Sequence, residues 1–222
     1  MIKVMSAFKR KTGMDVEAFQ SYWREIHAPI VQKLPGVRRY VQNHTILSGY
    51  KRGEPAVDGV AELWFDNTDA LRGICASAEL EATQADHQHF IDDASYKEVV
   101  TEDVLIKDGP MPAGGVKNIE LVRRKKDMSP ADFHHHWIEL HGPLGASIPQ
   151  VLRYVQSHTR TAAYLDGKEP SLDGFALTWF DSTQLMREAA TTEQYAETRA
   201  DEENFVVEPL DFVITKEHVI TE

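Results

Sequence analysis

Cysteine is nearly absent from this sequence: of 222 residues only Cys75 carries a thiol. A single thiol excludes an intramolecular disulfide and any Cys-rich metal site, and it fits a reducing compartment. Long apolar runs are missing too. No stretch approaches the roughly 18 residues of a membrane span, and the opening MIKVMSAFKR lacks the apolar centre of a signal peptide. The cytoplasm is therefore the expected location. Positive charge is scarce, with 24 Lys and Arg against 35 Asp and Glu, a net charge of −11. Nucleic acid and anionic membrane both require a basic face, so neither is an expected partner. The sequence also has no HExxH, no paired CxxC, no Gly-rich phosphate loop and no GxSxG elbow. The expectation is a small-molecule substrate with no cofactor and no metal.

The most prominent positive feature is an internal repeat, the first pattern to seek because it sets the fold. HAPIVQKLPGVRRYVQNHT, from His27 to Thr45, recurs from His141 to Thr159 as HGPLGASIPQVLRYVQSHT. Around it the local signals agree in both copies. Residues 2–8 alternate as a strand. Asp15 is a helix N-cap, and its twin Ser129 precedes Pro130 at the first helical position. Phe19, Trp23 and His27 recur every four residues on one helix face, as do Phe133, Trp137 and His141. Pro29 and Pro35 limit this helix, which is expected to end by Leu34. A strand follows from Val37 to about Ser48. Asp58-Gly59 opens another, containing Trp64, Phe65 and Asp66. A second helix is expected over 68–81. Residues 82–90 are ambiguous, with a short helix as one reading, and a last strand covers 95–106. The order β-α-β-β-α-β predicts an α+β fold of two ferredoxin-like units, residues 1–109 and 116–222, joined by 110–115 within DGPMPAGG. Two such sheets packed face to face would form an intramolecular dimeric α+β barrel, as a monomer with an internal pseudo-dimer or a homodimer of it.

The motifs Phe-x3-Trp-x3-His-x-Pro, Arg-Tyr-x-Gln-x-His, Asp-Gly and Trp-Phe-Asp occur in that order twice. In this the chain resembles the EthD family of the dimeric α+β barrel superfamily, over nearly its whole length. The resemblance implies a ligand held between one unit's sheet and its helices. It implies a choice of activities: the superfamily includes cofactor-free monooxygenases, muconolactone isomerase, polyketide dehydratases and decarboxylases. Tandem members include cis–trans isomerases of ring-cleavage products in aromatic catabolism.

On the strand after the first helix, Tyr40, Gln42 and His44 share a face by alternation, as do Tyr154, Gln156 and His158. A His beside two hydrogen-bonding groups offers a base near neutral pH with donors for an enolate oxygen. His44 and His158 are thus the leading catalytic candidates, with Tyr40 and Tyr154 as oxyanion donors. His27 and His141, at the helix C-terminus, line the site or complement the helix dipole. Trp23 and Trp137 are substrate platforms or core. Arg39 and Arg153 fall on the opposite strand face and are read as structural; a bulge would turn them toward a substrate carboxylate. Where the first copy has Val4 and Ser6, the second has Asn118 and Glu120. A central strand is covered on both faces, so Glu120 is a candidate buried acid or base with a raised pKa. Asp86 and Asp201 match and either orient a His or cap a helix. The run His134, His135 and His136 fans out about 100° per residue, so it cannot converge on one ion and is read as solvated surface.

These residues carry three readings. The main one is an isomerase or lyase acting by His-mediated proton transfer on a small unsaturated oxo-acid or aromatic breakdown product. The second is a cofactor-free or heme-linked monooxygenase. The third is a non-catalytic binding module.

Overall fold

The computed structural model describes residues 1–222, the side chain of Arg52 excepted. Repeat 1 supplies β1 (Ile2–Phe8), α1 (Val16–Tyr22), α2 (Ala28–Val31), β2 (Val37–Thr45), β3 (Gly59–Phe65), α3 (Thr68–Gly73), α4 (Ala78–Phe90) and β4 (Lys97–Lys107). Repeat 2 supplies β5 (Val116–Val122), α5 (Pro130–His135), α6 (Gly142–Ser147), β6 (Arg153–Thr159), β7 (Gly174–Phe180), α7 (Thr183–Ala189), α8 (Glu193–Glu202) and β8 (Asp211–Thr221). The chain is an α+β tandem of the ferredoxin-like kind.

Two compact units form, Met1–Val100 with Glu217–Glu222, and Thr101–Lys216. Their boundaries differ from those of the sequence repeat because β4 and β8 each divide between units. In unit 1 the strand order is β1–β3–β2–β8, and in unit 2 it is β8–β5–β7–β6–β4. β3 pairs antiparallel with β1 and β2, β7 with β5 and β6, β5 with β8 and β6 with β4. β1 is buried along its whole length, as a central strand should be.

Each unit packs one sheet face against its helices. In unit 1 Val4, Phe8, Tyr40, Ala61 and Phe65 meet Phe19, Trp23 and Phe90 there. In unit 2 Val116, Val122, Tyr154, Ala176 and Phe180 meet Phe133, Trp137 and Phe205. The period of two along each strand selects which residues face the helices.

Both expected caps form. Asp15 accepts from the backbone amides of Glu17 and Ala18, and Ser129 from that of Asp132. The single helix expected to run to Leu34 is instead α1, a π turn over Trp23–His27, and α2. The same break occurs at His136–His141. A periodicity of four cannot distinguish a continuous helix from one with a single residue inserted. The helix expected over 68–81 is also two. α3 stops at Gly73, and Ser77 caps α4, which takes in the ambiguous 82–90 segment. β2 ends at Thr45 rather than near Ser48.

Candidate functional site

The π turns build the site. In a π turn a backbone amide donates to the carbonyl five residues back. Here the amide of Ala28 donates to the carbonyl of Trp23, and that of Gly142 to the carbonyl of Trp137. The same two carbonyls accept from the side-chain amides of Gln42 (2.9 Å) and Gln156 (2.7 Å). Each glutamine Nε2 also donates to a tyrosine hydroxyl, Tyr40 at 2.8 Å and Tyr154 at 3.1 Å. Trp23 and Trp137 donate their indole N–H to those hydroxyls, at 3.1 and 3.3 Å.

With its amide nitrogen committed twice, each glutamine presents its oxygen to a histidine. Gln42 Oε1 lies 2.8 Å from His44 Nε2, and Gln156 Oε1 lies 2.9 Å from His158 Nε2. An amide oxygen only accepts, so both Nε2 atoms carry the proton and both Nδ1 atoms keep a lone pair. Nδ1 of His44 and of His158 is buried without a hydrogen-bond partner. Burial penalises the imidazolium and holds both rings at a pKa of about 3. Each ring packs on an indole, 4.5 Å from Trp23 and 4.4 Å from Trp137, and a second imidazole meets it edge-on. That second ring is His218 in unit 1, at 4.6 Å, and His134 in unit 2, at 4.8 Å.

His27 and His141 are buried beside this network. Each sets Nδ1 against a carboxylate, Asp86 at 2.8 Å and Asp201 at 3.0 Å. Desolvation outweighs the carboxylate and brings His27 to about 4; His141 moves the same way. Asp86 also accepts from Tyr22 and Asp201 from His136, so both aspartates orient histidines. Close to His27, unit 1 gathers His87 and a cluster in which Tyr96 and Ser6 both donate to Glu98, at 2.6 and 2.9 Å.

In unit 2, Glu120 accepts from Asn118 (3.3 Å), and burial raises its pKa. Arg39 and Arg153 do not join the Tyr–Gln–His network. A register shift between Val37 and Arg39 marks an irregularity in β2. Arg39 lies over Trp64, 3.9 Å from Glu217, and Arg153 pairs with Asp108. The reading of His134–His136 as solvated surface is corrected. Only His135 is exposed; His134 covers His158 and His136 holds Asp201. The fan of 100° that forbids convergence also points two of three rings inward. Among the described residues no group of three or more His, Cys, Asp or Glu could hold a metal ion, and no helix is long and apolar enough to cross a membrane.

Sequence reasoning missed the second imidazoles because His218 and His134 are not twins. It also missed a clamp built twice. The Arg10 guanidinium holds Glu54 and Asp58, and Tyr50 donates to Asp58; Arg124, Glu169, Asp173 and Tyr164 repeat this. The twin Arg10 and Arg124 were its signal.

The EthD domain family model matches the chain twice, over residues 11–94 and 125–209. No curated protein matches it. Among solved structures, an anthrone oxidase-like protein aligns with a TM-score of 0.68 at 11% identity, covering 100% of this chain and 94% of its own. A Lactobacillus acidophilus protein whose name proposes a monooxygenase aligns at 0.57 and 14% identity, covering 99% and 95%. A heme-binding protein of Thermus thermophilus aligns at 0.51 and 12% identity, covering 97% and 90%. At these identities the likeness is one of fold. The expected isomerase or lyase is corrected by this finding, because these neighbours are named for oxygenation, oxidation and heme binding.

Proposed function

The chain belongs to the EthD domain family, and from that premise we propose that it is an oxygenase of small, acidic, electron-rich substrates, with dioxygen as the oxidant. The observation that carries this is the unpartnered, proton-free Nδ1 of His44 and of His158, each fixed by a relay of Trp carbonyl, Gln and imidazole. A buried polar atom without a partner demands an explanation, and a base awaiting a substrate proton is one.

The substrate class is an activated methylene flanked by aryl or carbonyl groups. His44 or His158 takes one of its protons at Nδ1. The imidazolium is costly in this dry setting and persists only as an ion pair with the anion it created. Tyr40 and Tyr154 each accept two hydrogen bonds, which leaves the phenol hydrogen to donate to the substrate oxygen. The carbanion adds dioxygen to give a peroxide anion, and the imidazolium returns its proton. Loss of water then leaves a ketone. One methylene and one dioxygen thus become one carbonyl and one water, with no external reductant. The names of the anthrone oxidase-like and monooxygenase-named neighbours support this class.

An iron porphyrin does not fit His44, His158, His27 or His141 as axial ligand. A heme ligand needs an imidazole nitrogen facing open space. The rings of His44 and His158 are packed on indole and covered by a second imidazole, and His27 and His141 lie 4.7 and 4.8 Å from Phe90 and Phe205.

The test is oxygen uptake with anthrone. One dioxygen should be consumed per ketone formed, above the spontaneous rate. Combining His44→Ala with His158→Ala should lower turnover by about 10²–10⁴-fold. Wild-type turnover in that double variant would overturn the reading. So would a Soret band on hemin titration combined with activity only after loading.

A further inference from the structure

Unit 2 is not a copy of unit 1 in the space between sheet and helices. Val4, Ser6, Gln84 and His87 of unit 1 give way to Asn118, Glu120, Arg199 and Glu202. Asn118 and Glu120 alternate with the outward residues of β5, on the face that carries Val116 and Val122 against the helices. In register, Glu120 lies across Ala176 of β7 from Gln156, so a small side chain separates it from the Gln–His relay. From α8, Arg199 Nη1 lies 2.8 Å from both oxygens of Glu202, aligned to donate to Oε1, and 3.9 Å from Glu120.

The cluster has a defined deficit. Asn118 spends its amide on Glu120 and keeps Oδ1 buried and unpartnered, and Glu202 Oε2 is buried without a hydrogen bond. Asn118 is 8% and Glu202 2% exposed. Glu120 keeps 22% of its side chain accessible, so the cluster is reachable. Both unpartnered atoms are acceptors. Two carboxyl groups face one guanidinium, which leaves one negative charge unmatched when both are ionised. Burial holds both above the ordinary carboxylate range, and repulsion from Glu120 adds to it at Glu202, which reaches about 8. The other titratable groups facing the pair are Tyr195 and Asp201 on α8, Tyr154 on β6 and Glu208 beyond α8.

We propose that unit 2 binds a small organic monocation, a protonated amine or amidine, between Asn118, Glu120 and Glu202. Such a group supplies the missing donors and the missing charge together. Only two carboxyl groups converge here, and among the described residues no group of three or more His, Cys, Asp or Glu could hold a metal ion, which disfavours a bare divalent metal. Unit 1, with Val4 and Ser6 at the matching positions, has no such site. The inference concerns binding alone and stands or falls separately from the oxygenase reading.

Calorimetric titration of the full chain with benzylamine, benzamidine, benzyl alcohol and benzoate tests it. The two cations should bind at one site per chain, at least about tenfold more tightly than the alcohol or the acid, a gap of about 1.4 kcal/mol. Near pH 7 each should displace about one proton, seen as a dependence of the heat on buffer ionisation. Glu202→Gln, Glu120→Gln and Asn118→Val should each weaken benzylamine by about tenfold or more. Removing a buried repulsion should leave both glutamine variants at least as thermally stable as the parent, so a folding defect is separable. Ser6→Ala in unit 1 should change nothing. Benzyl alcohol matching benzylamine, cation binding without proton release, or unchanged affinity in Glu202→Gln would each overturn the proposal.

Discussion

A histidine with its tautomer fixed by a glutamine, and the glutamine fixed by a π-turn carbonyl, is the smallest unit of this protein's chemistry. His44 and His158 are held near pKa 3 by burial, against 6.5 for a free imidazole. As pH falls below about 6.5 the unfolded chain takes up protons that the folded chain refuses. Stability is therefore complete above that pH and declines on acidification toward pH 3. His44→Phe keeps a ring against Trp23 and removes the titration. Its urea midpoint should be lower at pH 7.5, since Gln42 Oε1 loses its donor at about 1–3 kcal/mol. Between pH 6.5 and 4 its stability should fall less steeply than that of the parent. For the same reason kcat/KM should show no acidic limb near 6.5, because the base is already neutral there.

At the scale of elements, the π turn and the first residue of the facing strand act together. A Cβ on Gly59 would come within 2.4 Å of the Trp23 ring, and one on Gly174 within 2.5 Å of the Ser157 carbonyl and 2.7 Å of Trp137. Glycine at these strand starts lets the indole approach the strand backbone closely, beside the Trp carbonyl that the glutamine holds. Gly174→Ala should lower stability by about 1–3 kcal/mol in thermal unfolding. It should also lower turnover, because the relay moves with Trp137. Ser129→Ala removes the cap of α5 and should cost about 1 kcal/mol with little effect on turnover. The contrast separates loss of helix from loss of geometry.

For the molecule as a whole, the division of β4 and β8 between units matters most. Residues 217–222 belong to unit 1, where Glu217 approaches Arg39, His218 covers His44 and Gln32 bonds to Ile220 and Thr221. A chain ending at Lys216 should lose the neighbour of β2, expose an unpaired strand edge and self-associate. Analytical ultracentrifugation and thermal unfolding would check this; a monomer of parental stability would contradict it. The repeat made each unit's element order legible, and the caps at Asp15 and Ser129 and the Asp-Gly before β3 were legible in place. The helix breaks were not, because inserted residues leave an apolar spacing of four intact.

The sequence by itself determined the duplication, the α+β class and the company of Tyr, Gln and His, since strand alternation is a local, steric rule. Tertiary structure alone decided which nitrogen of each histidine is unpartnered, because that rests on a π-turn carbonyl 19 residues from the glutamine it holds. It alone decided that unrelated histidines, His218 and His134, cover the two rings. It alone brought Glu202 to Glu120 across 82 residues, where burial, which no local pattern encodes, sets their protonation.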